Sequence, residues 1–311
     1  MKKQDATIYI IGAGAIGKAL AVFLTQTGKE VVLLRGHIHD KPEHIESIEV
    51  ELSDGEIVKK DILVSTLNNY PVLNGIIVLT TKSFGNQQIA ETLKGKTGNS
   101  PIIVLQNGLN VEAPFIHNLF PEIYRCVLFT SSQYVETNKL RFKPASVSPI
   151  GIISGNAEGL AIIIESLTNP YLVFKPEENI QPIIWTKAII NSVFNSICPL
   201  LEIDNGIFQR NEKALDLAKR VIDECMVVAA AEGIFLDAEK VLERLLLISK
   251  TSDGQLISTY QDIINKRKTE IETLNITIAR IADRYNMKEQ SKETRLLGEL
   301  IEIKSAIAML S

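Results

Sequence analysis

Three polar residues sit four apart inside the apolar run Ile183 to Leu201: Lys187, Asn191 and Asn195. On a helix that spacing puts them on one stripe. Ile183, Ile184, Trp185, Ile189, Ile190, Val193, Phe194 and Ile197 surround them, so the helix must be largely buried, and an ammonium with two amides cannot simply face water. Leaving a polar group buried and unpaired costs about 1–3 kcal/mol. The stripe therefore either lines a site where something polar comes to meet it or forms the solvated edge of an amphipathic helix. In the first case the chemistry is available: an ammonium beside two amides can hold an oxygen on which negative charge develops and then protonate it.

Such a stripe needs a second element to supply what it acts on, and the N-terminal half offers one. Ala6 to Ile11 reads as a buried strand and runs into Gly12-Ala13-Gly14-Ala15-Ile16-Gly17, which opens a helix ending near Gly28 and is followed by a strand over Glu30 to Leu34. Strand, glycine turn, helix and strand in that order form a dinucleotide-binding unit. Gly12 permits the turn, Gly14 lets the backbone approach a pyrophosphate, Gly17 lets helix and strand pack closely, and the first helical N–H groups at Ala15 and Ile16 face the anion. At the end of the second strand, where NAD sites place an acid, stands Arg35. A guanidinium there suits a 2'-phosphate and no carboxylate adjoins it in the sequence, which favours NADP(H).

Alternation continues with strands at Gly75 to Thr81, Pro101 to Gln106 and Arg125 to Thr130, and helices from Gly85 to Leu93 and Val111 to Leu119. The expected class is α/β, an N-terminal Rossmann-like doubly wound sheet over residues 1–176 with a C-terminal all-helical domain over 177–311. Ligands collect at the carboxyl ends of such strands, where Lys82 and Gln106-Asn107-Gly108 fall. Antiparallel additions are expected around Ser53-Asp54-Gly55, over Gln133 to Phe142 and over Pro149 to Ser154, with a last strand at Tyr171 to Phe174. Beyond Pro176 the predicted helices are the stripe helix, Arg210 to Glu232, Ala238 to Ile248 and Lys266 to Tyr285. With no flexible linker, the two domains are expected to enclose a cleft.

Composition narrows the classes. The 311 residues are 45% hydrophobic and 23% charged with a net charge of −4, and lack basic tracts or aromatic ladders, which argues against nucleic acid as partner. No run of about 18 uncharged apolar residues suggests a membrane span. The Met1-Lys2-Lys3 start passes into a strand without a signal-peptide core, so a cytoplasmic location is expected. Cys126, Cys198 and Cys225 are far apart in apolar surroundings and read as reduced core thiols. His37, His39, Asp40 and His44 read as solvated polar residues of a loop and not as a metal site, and no metal is expected.

Taken together, Trp185-x-Lys187-x3-Asn191-x3-Asn195, Ser258-x2-Gln261-Asp262 and Thr269-Glu270-Ile271-x3-Asn275, after Gly-Ala-Gly-Ala-Ile-Gly and Gln106-Asn107-Gly108, resemble the ketopantoate reductase (2-dehydropantoate 2-reductase) family over nearly the whole chain. That resemblance implies NADPH-dependent reduction of ketopantoate to D-pantoate, in pantothenate and hence coenzyme A synthesis. It implies Lys187 as general acid, Glu270 as a carboxylate that binds substrate and orients the lysine, and Asn191, Asn195 and Ser258 as holders of the substrate's hydroxyl and carboxylate. Asn107 would lie between cofactor and substrate, and Arg35 and Lys82 would bind the cofactor, at its 2'-phosphate. The partner is then a small 2-oxo acid and the assembly a monomer or homodimer. A lysine acid fits the sequence independently, because all four histidines (His37, His39, His44 and His117) fall in the first half.

The chain departs from the family pattern where Ser196 follows Asn195 in place of proline, where Ile276 follows Asn275 in place of glycine, and in the loop Met287 to Thr294. The stripe helix is expected to run further as a result. Two other readings stay open: a relative that reduces a different 2-oxo acid with NADPH, and a module that binds NADP(H) as a sensor without turnover.

Overall fold

The computed structural model describes residues 6–36 and 41–310, in two compact units. The first runs to Gln106 and resumes from Val111 to Ile180; the second comprises Asn107–Asn110 and Gln181 onward.

In the first unit β1 (Thr7–Ile11) leads through the glycine turn to α1 (Ala15–Gln26) and β2 (Val31–Arg35). A hairpin of β3 (His44–Glu51) and β4 (Ile57–Thr66) turns at Ser53-Asp54-Gly55, and β5 (Gly75–Leu79), α2 (Asn86–Leu93), β6 (Ile102–Val104), α3 (Ala113–His117) and β7 (Ile123–Cys126) follow. Then come β8 (Thr130–Glu136), β9 (Lys139–Pro144), β10 (Ser148–Ser154), α4 (Ala157–Leu167) and β11 (Phe174–Pro176). All strands join one sheet in the order β11-β10-β7-β6-β5-β1-β2-β4-β3-β9-β8. Its centre, β7 through β4, is wholly parallel, and antiparallel pairs appear only outside it. Side chains alternate between two apolar layers: Ile8 and Ile10 of β1 join the layer with α1 and α4, while Tyr9 and Ile11 join the layer with α2 and α3. Burial on both faces is why these strands are unbroken apolar runs.

Several boundaries differ from expectation for local reasons. The segment read as one strand over Gln133 to Phe142 is the β8–β9 hairpin, turning at Asn138 with φ +61°. α3 shrinks to five residues, held between Pro114 in its first turn and Leu119 at φ +58°. β7 begins at Ile123 and β11 at Phe174, displaced from the expected Arg125 and Tyr171. α4 was not expected; its side-chain cap is Asn156, whose Oδ1 accepts from Gly159 N at 2.8 Å.

The second unit is helical: α5 (Gln181–Leu201), α6 (Ile207–Arg210), α7 (Glu212–Ala231), α8 (Ala238–Thr251), α9 (Ser258–Ile264), α10 (Asn275–Arg284) and α11 (Lys292–Leu310). α5 packs against α7, α8, α9 and α11. It is long and apolar enough to cross a membrane by length and composition, although Lys187 interrupts its apolar run, and 72% of that window is buried inside the protein, as in a core helix. It continues past Asn195 and through Pro199, as the absence of proline after Asn195 suggested.

The expected helix from Lys266 to Tyr285 is broken. Lys266 takes φ +53°, Arg267 N donates to Asp262 O at 2.8 Å, and a 3-10 turn over Ile271–Thr273 precedes α10. α9 and α11 were not expected. Glu224 of α7 caps α11, accepting from the backbone N–H of Glu293 and Thr294 at 3.0 and 2.8 Å.

Candidate active site

In the sheet unit the glycine turn is shaped as a cradle. Gly12 has φ +129° and donates its N–H to Leu34 O at 2.8 Å, and a Cβ there would stand 2.6 Å from Thr80 Oγ1 and Thr81 N. A Cβ on Gly17 would collide with Gly12 O, whereas one on Gly14 would meet nothing within 4 Å. Gly12 and Gly17 are thus glycines for packing, and Gly14 leaves space over the start of α1. That helix has no side-chain cap and no acid in its own first turn, so no side chain of the turn competes for the N–H groups around Ala15, Ile16 and Gly17. The observed cradle fits a dinucleotide pyrophosphate.

Residues that the sequence did not mark hold this turn. Tyr134 Oη donates to Ala13 O at 3.2 Å and Ser132 Oγ to Ala15 O at 3.0 Å, both from β8. At the ends of β5 and β6, Gln106 donates to Thr81 Oγ1 at 3.0 Å and pairs reciprocally with Asn86, each amide giving 2.7 Å to the other. Lys82 sits at the N-terminus of the 3-10 turn Ser83–Gly85, one residue beyond Thr81.

Arg35 ends β2 as expected, but its surroundings overturn the expectation that no carboxylate is near. Nη2 donates to Glu46 Oε1 of β3 at 3.0 Å and lies 3.1 Å from His44 Nε2. Glu46 Oε2 accepts from Lys18 Nζ of α1 at 2.8 Å. Burial pushes the Glu46 carboxyl up, but hydrogen bonds from Lys18 and His44 and the charges of Lys18 and Arg35 outweigh it and hold the group below the usual carboxylate range. The acid came from eleven residues downstream, across an intervening strand, where a reading by spacing from the glycine turn does not reach. Arg35 Nη1 is buried and finds no hydrogen-bond partner among the described residues. His37, His39 and Asp40 lie outside the described residues. Among the described residues no group of three His, Cys, Asp or Glu could hold a metal ion.

The helical unit carries every residue assigned to substrate. Lys187, Asn191 and Asn195 stand on successive turns of α5, and Asn195, 3% exposed, is fully engaged with its neighbours: Nδ2 donates to Asn191 O at 2.9 Å, while Oδ1 accepts from Ser258 Oγ and Thr259 N, both at 3.2 Å. Asn195 thereby ties the first turn of α9 to α5 and fixes Ser258, which is exposed. Thr259, the other end of this tie, had no signal in the sequence beyond adjacency to Ser258.

Asn107 and Gly108 belong to this unit although their sequence neighbours belong to the other. Leu109 N donates to Thr273 O at 2.8 Å. Gly108 has φ +101°, and a Cβ there would lie 2.3 Å from Thr273 Oγ1 and 2.8 Å from Thr273 O. The loop bearing Asn107 is therefore hooked onto the turn that Glu270 begins, and Thr273 N and Oγ1 both donate back to Glu270 O at 3.1 Å. That turn packs on α5. Asp262 pairs with Arg267 at 3.1 Å, and Asn275 Nδ2 donates to Thr294 O at 3.3 Å while its buried Oδ1 finds no partner among the described residues.

A glycine cradle on a parallel sheet and a polar stripe in a helical unit define a class, the oxidoreductases that take a nicotinamide dinucleotide. Within that class the chain belongs to the ketopantoate reductase family: residues 8–150 match the model for ketopantoate reductase PanE/ApbA and residues 179–301 that for its C-terminal domain. The 2-dehydropantoate 2-reductase of Pyrococcus horikoshii is 26% identical over 96% of this chain and 98% of its own. That of Pyrococcus abyssi is 28% identical with the same coverage. Among solved structures, a D-mandelate dehydrogenase in a ternary complex with NADH and anilino(oxo)acetate has a TM-score of 0.83 at 22% identity, covering 97% of this chain and 99% of that one. A dimeric ketopantoate reductase from Staphylococcus aureus has a TM-score of 0.79 at 21% identity, with the same coverage.

Proposed function

We propose that this protein reduces the ketone of 2-dehydropantoate to D-pantoate with NADPH, the reduction that serves pantothenate synthesis. One observation carries the reading: the Asn107 loop, the Glu270 turn, Ser258 and the α5 stripe share one folding unit, in which hydrogen bonds tie the loop to the turn and Ser258 to Asn195, and the turn packs on α5. A reduced nicotinamide, when bound, supplies the hydride that the ketone carbon accepts.

The chain's own residues do the rest. Lys187 stabilises the carbonyl oxygen as negative charge builds on it and then gives it a proton. Glu270 binds the substrate hydroxyl and orients the ammonium. Ser258 and Asn191 hold the polar ends of the substrate, with Asn195 fixing Ser258 from behind, and Asn107 is placed by the hook on Thr273. Gly12, Gly14, Ala15, Ile16 and Gly17 hold the pyrophosphate. Arg35, through its unpartnered Nη1, and Lys82 take the 2'-phosphate.

A second reading keeps the reaction and changes the substrate. The D-mandelate dehydrogenase neighbour, crystallised with anilino(oxo)acetate, supports a 2-oxo acid with a different side chain, and Ser196 in place of the family's proline beside Asn195 is a departure close to the substrate residues. Following NADPH absorbance with 2-ketopantoate and then with aliphatic and aromatic 2-oxo acids tests both. The first reading expects ketopantoate to have the highest kcat/KM. Preference for an aromatic acid replaces it with the second, and binding without turnover of any acid refutes both.

A further inference from the structure

Glu46 lies between two cations that flank the start of the dinucleotide site. Its Oε1 accepts from Arg35 Nη2 at 3.0 Å and its Oε2 from Lys18 Nζ at 2.8 Å, and His44 Nε2 stands 2.9 Å from Oε1. The Arg35 and Glu46 side chains are only 13% and 15% exposed, so water screens this pairing weakly. Lys18 is held in turn by Asn138 Oδ1 at the β8–β9 turn. Among the described residues Arg35 Nη1 is a buried nitrogen without a partner, on a guanidinium whose charge is already met by an acid.

Two ligand chemistries feel this differently. A 2'-phosphate brought to Nη1 gains the arginine but faces the Glu46 charge at close range, and like charges in a poorly screened site repel. A ribose diol, as in NADH, brings hydroxyl donors that a carboxylate accepts. Resting on the proposed role of Arg35 in reading the 2'-phosphate, we infer that Glu46 is a specificity-determining residue: it holds down the preference for NADPH over NADH and lets this protein use both cofactors.

The test is direct binding, by calorimetry or quenching of protein fluorescence, of NADPH, NADH, 2',5'-ADP and 5'-ADP to the full chain and to Glu46→Gln. The substitution removes the charge and keeps an amide oxygen to accept from Lys18. Expected is an affinity gain of tenfold or more for NADPH and 2',5'-ADP, with NADH and 5'-ADP unchanged or weaker. A ratio that stays within twofold of the parent, or moves toward NADH, overturns the inference. Circular dichroism reports whether the variant is folded, and Glu46→Ser, which leaves Lys18 to water, replaces it if it is not. Arg35→Ala separates the two claims: loss of NADPH preference supports the arginine's role whatever Glu46 does, and an unchanged ratio removes that role and this inference with it.

Discussion

Asn195→Ala is the most informative single change, because the geometry assigns that side chain to its neighbours before any substrate arrives. Removing it strands Thr259 N–H, in a residue 2% exposed, at a cost of about 1–3 kcal/mol for an unsatisfied buried donor. The lost bond to Asn191 O adds at most about 1 kcal/mol. Ser258 is exposed and water replaces its bond at little cost. The sum is about 1–4 kcal/mol, which at roughly 2–4 °C per kcal/mol lowers the melting temperature of the helical unit by roughly 2–16 °C. Ser258→Ala should stay within about 0.5 kcal/mol of the parent. Calorimetry checks this, and a double-mutant cycle on the KM for the 2-oxo acid checks the functional half. If Asn195 acts by fixing Ser258, the two KM effects overlap in Asn195→Ala/Ser258→Ala. Fully additive KM effects, or an Asn195→Ala protein as stable as the parent, would refute the positioning role.

Lys187→Ala and Glu270→Ala should each lower kcat with ketopantoate by roughly two orders of magnitude or more while NADPH binding by fluorescence stays within a few-fold; unchanged turnover in either removes it from the chemistry. Gly108→Ala sets a Cβ at φ +101° 2.3 Å from Thr273 Oγ1, so the Asn107 loop must lift off. A displacement near 1 Å can cost about 10²-fold in rate. A Gly108→Ala enzyme with parental kcat/KM would show that the hook does not place Asn107. Burial pushes the Cys198 and Cys225 thiols up to about 12, with Asp204 adding to the first and a Thr294 hydrogen bond opposing the second. Native protein at pH 8 should therefore resist thiol reagents that label all three cysteines after unfolding. Because the folded state keeps these protons, their contribution is complete below about pH 8.5, the unfolded thiol value, and is lost as pH rises toward 12; urea midpoints measured from pH 8 to 11 should fall less in Cys198→Ala than in the parent.

What the sequence revealed follows from the range of the interactions involved. The parallel core was legible because strands buried on both faces are continuous apolar runs, and the glycine turn because Gly12, Gly14 and Gly17 answer to contacts within one strand–turn–helix unit. The α5 stripe was legible for a similar reason, since Lys187, Asn191 and Asn195 express their relation through a helix period. Long-range partners left no such trace. Glu46 reaches Arg35 and Lys18 across β4, Asn195 spends its amide on a residue 64 positions later, and Glu224 caps a helix 70 positions away, none of them related by any local spacing. The Arg35 reading shows how such partners change chemistry as well as geometry. From the strand end alone the guanidinium is an unopposed cation, which points to NADPH; with Glu46 against it, a 2'-phosphate brought there would meet an attraction and a repulsion of similar range. The place of Glu46 beside Arg35 is in turn set by the pairing of β3 with β4, which puts Glu46 opposite Ile62, and a one-residue slip in that register would turn the carboxylate to the other face of the sheet.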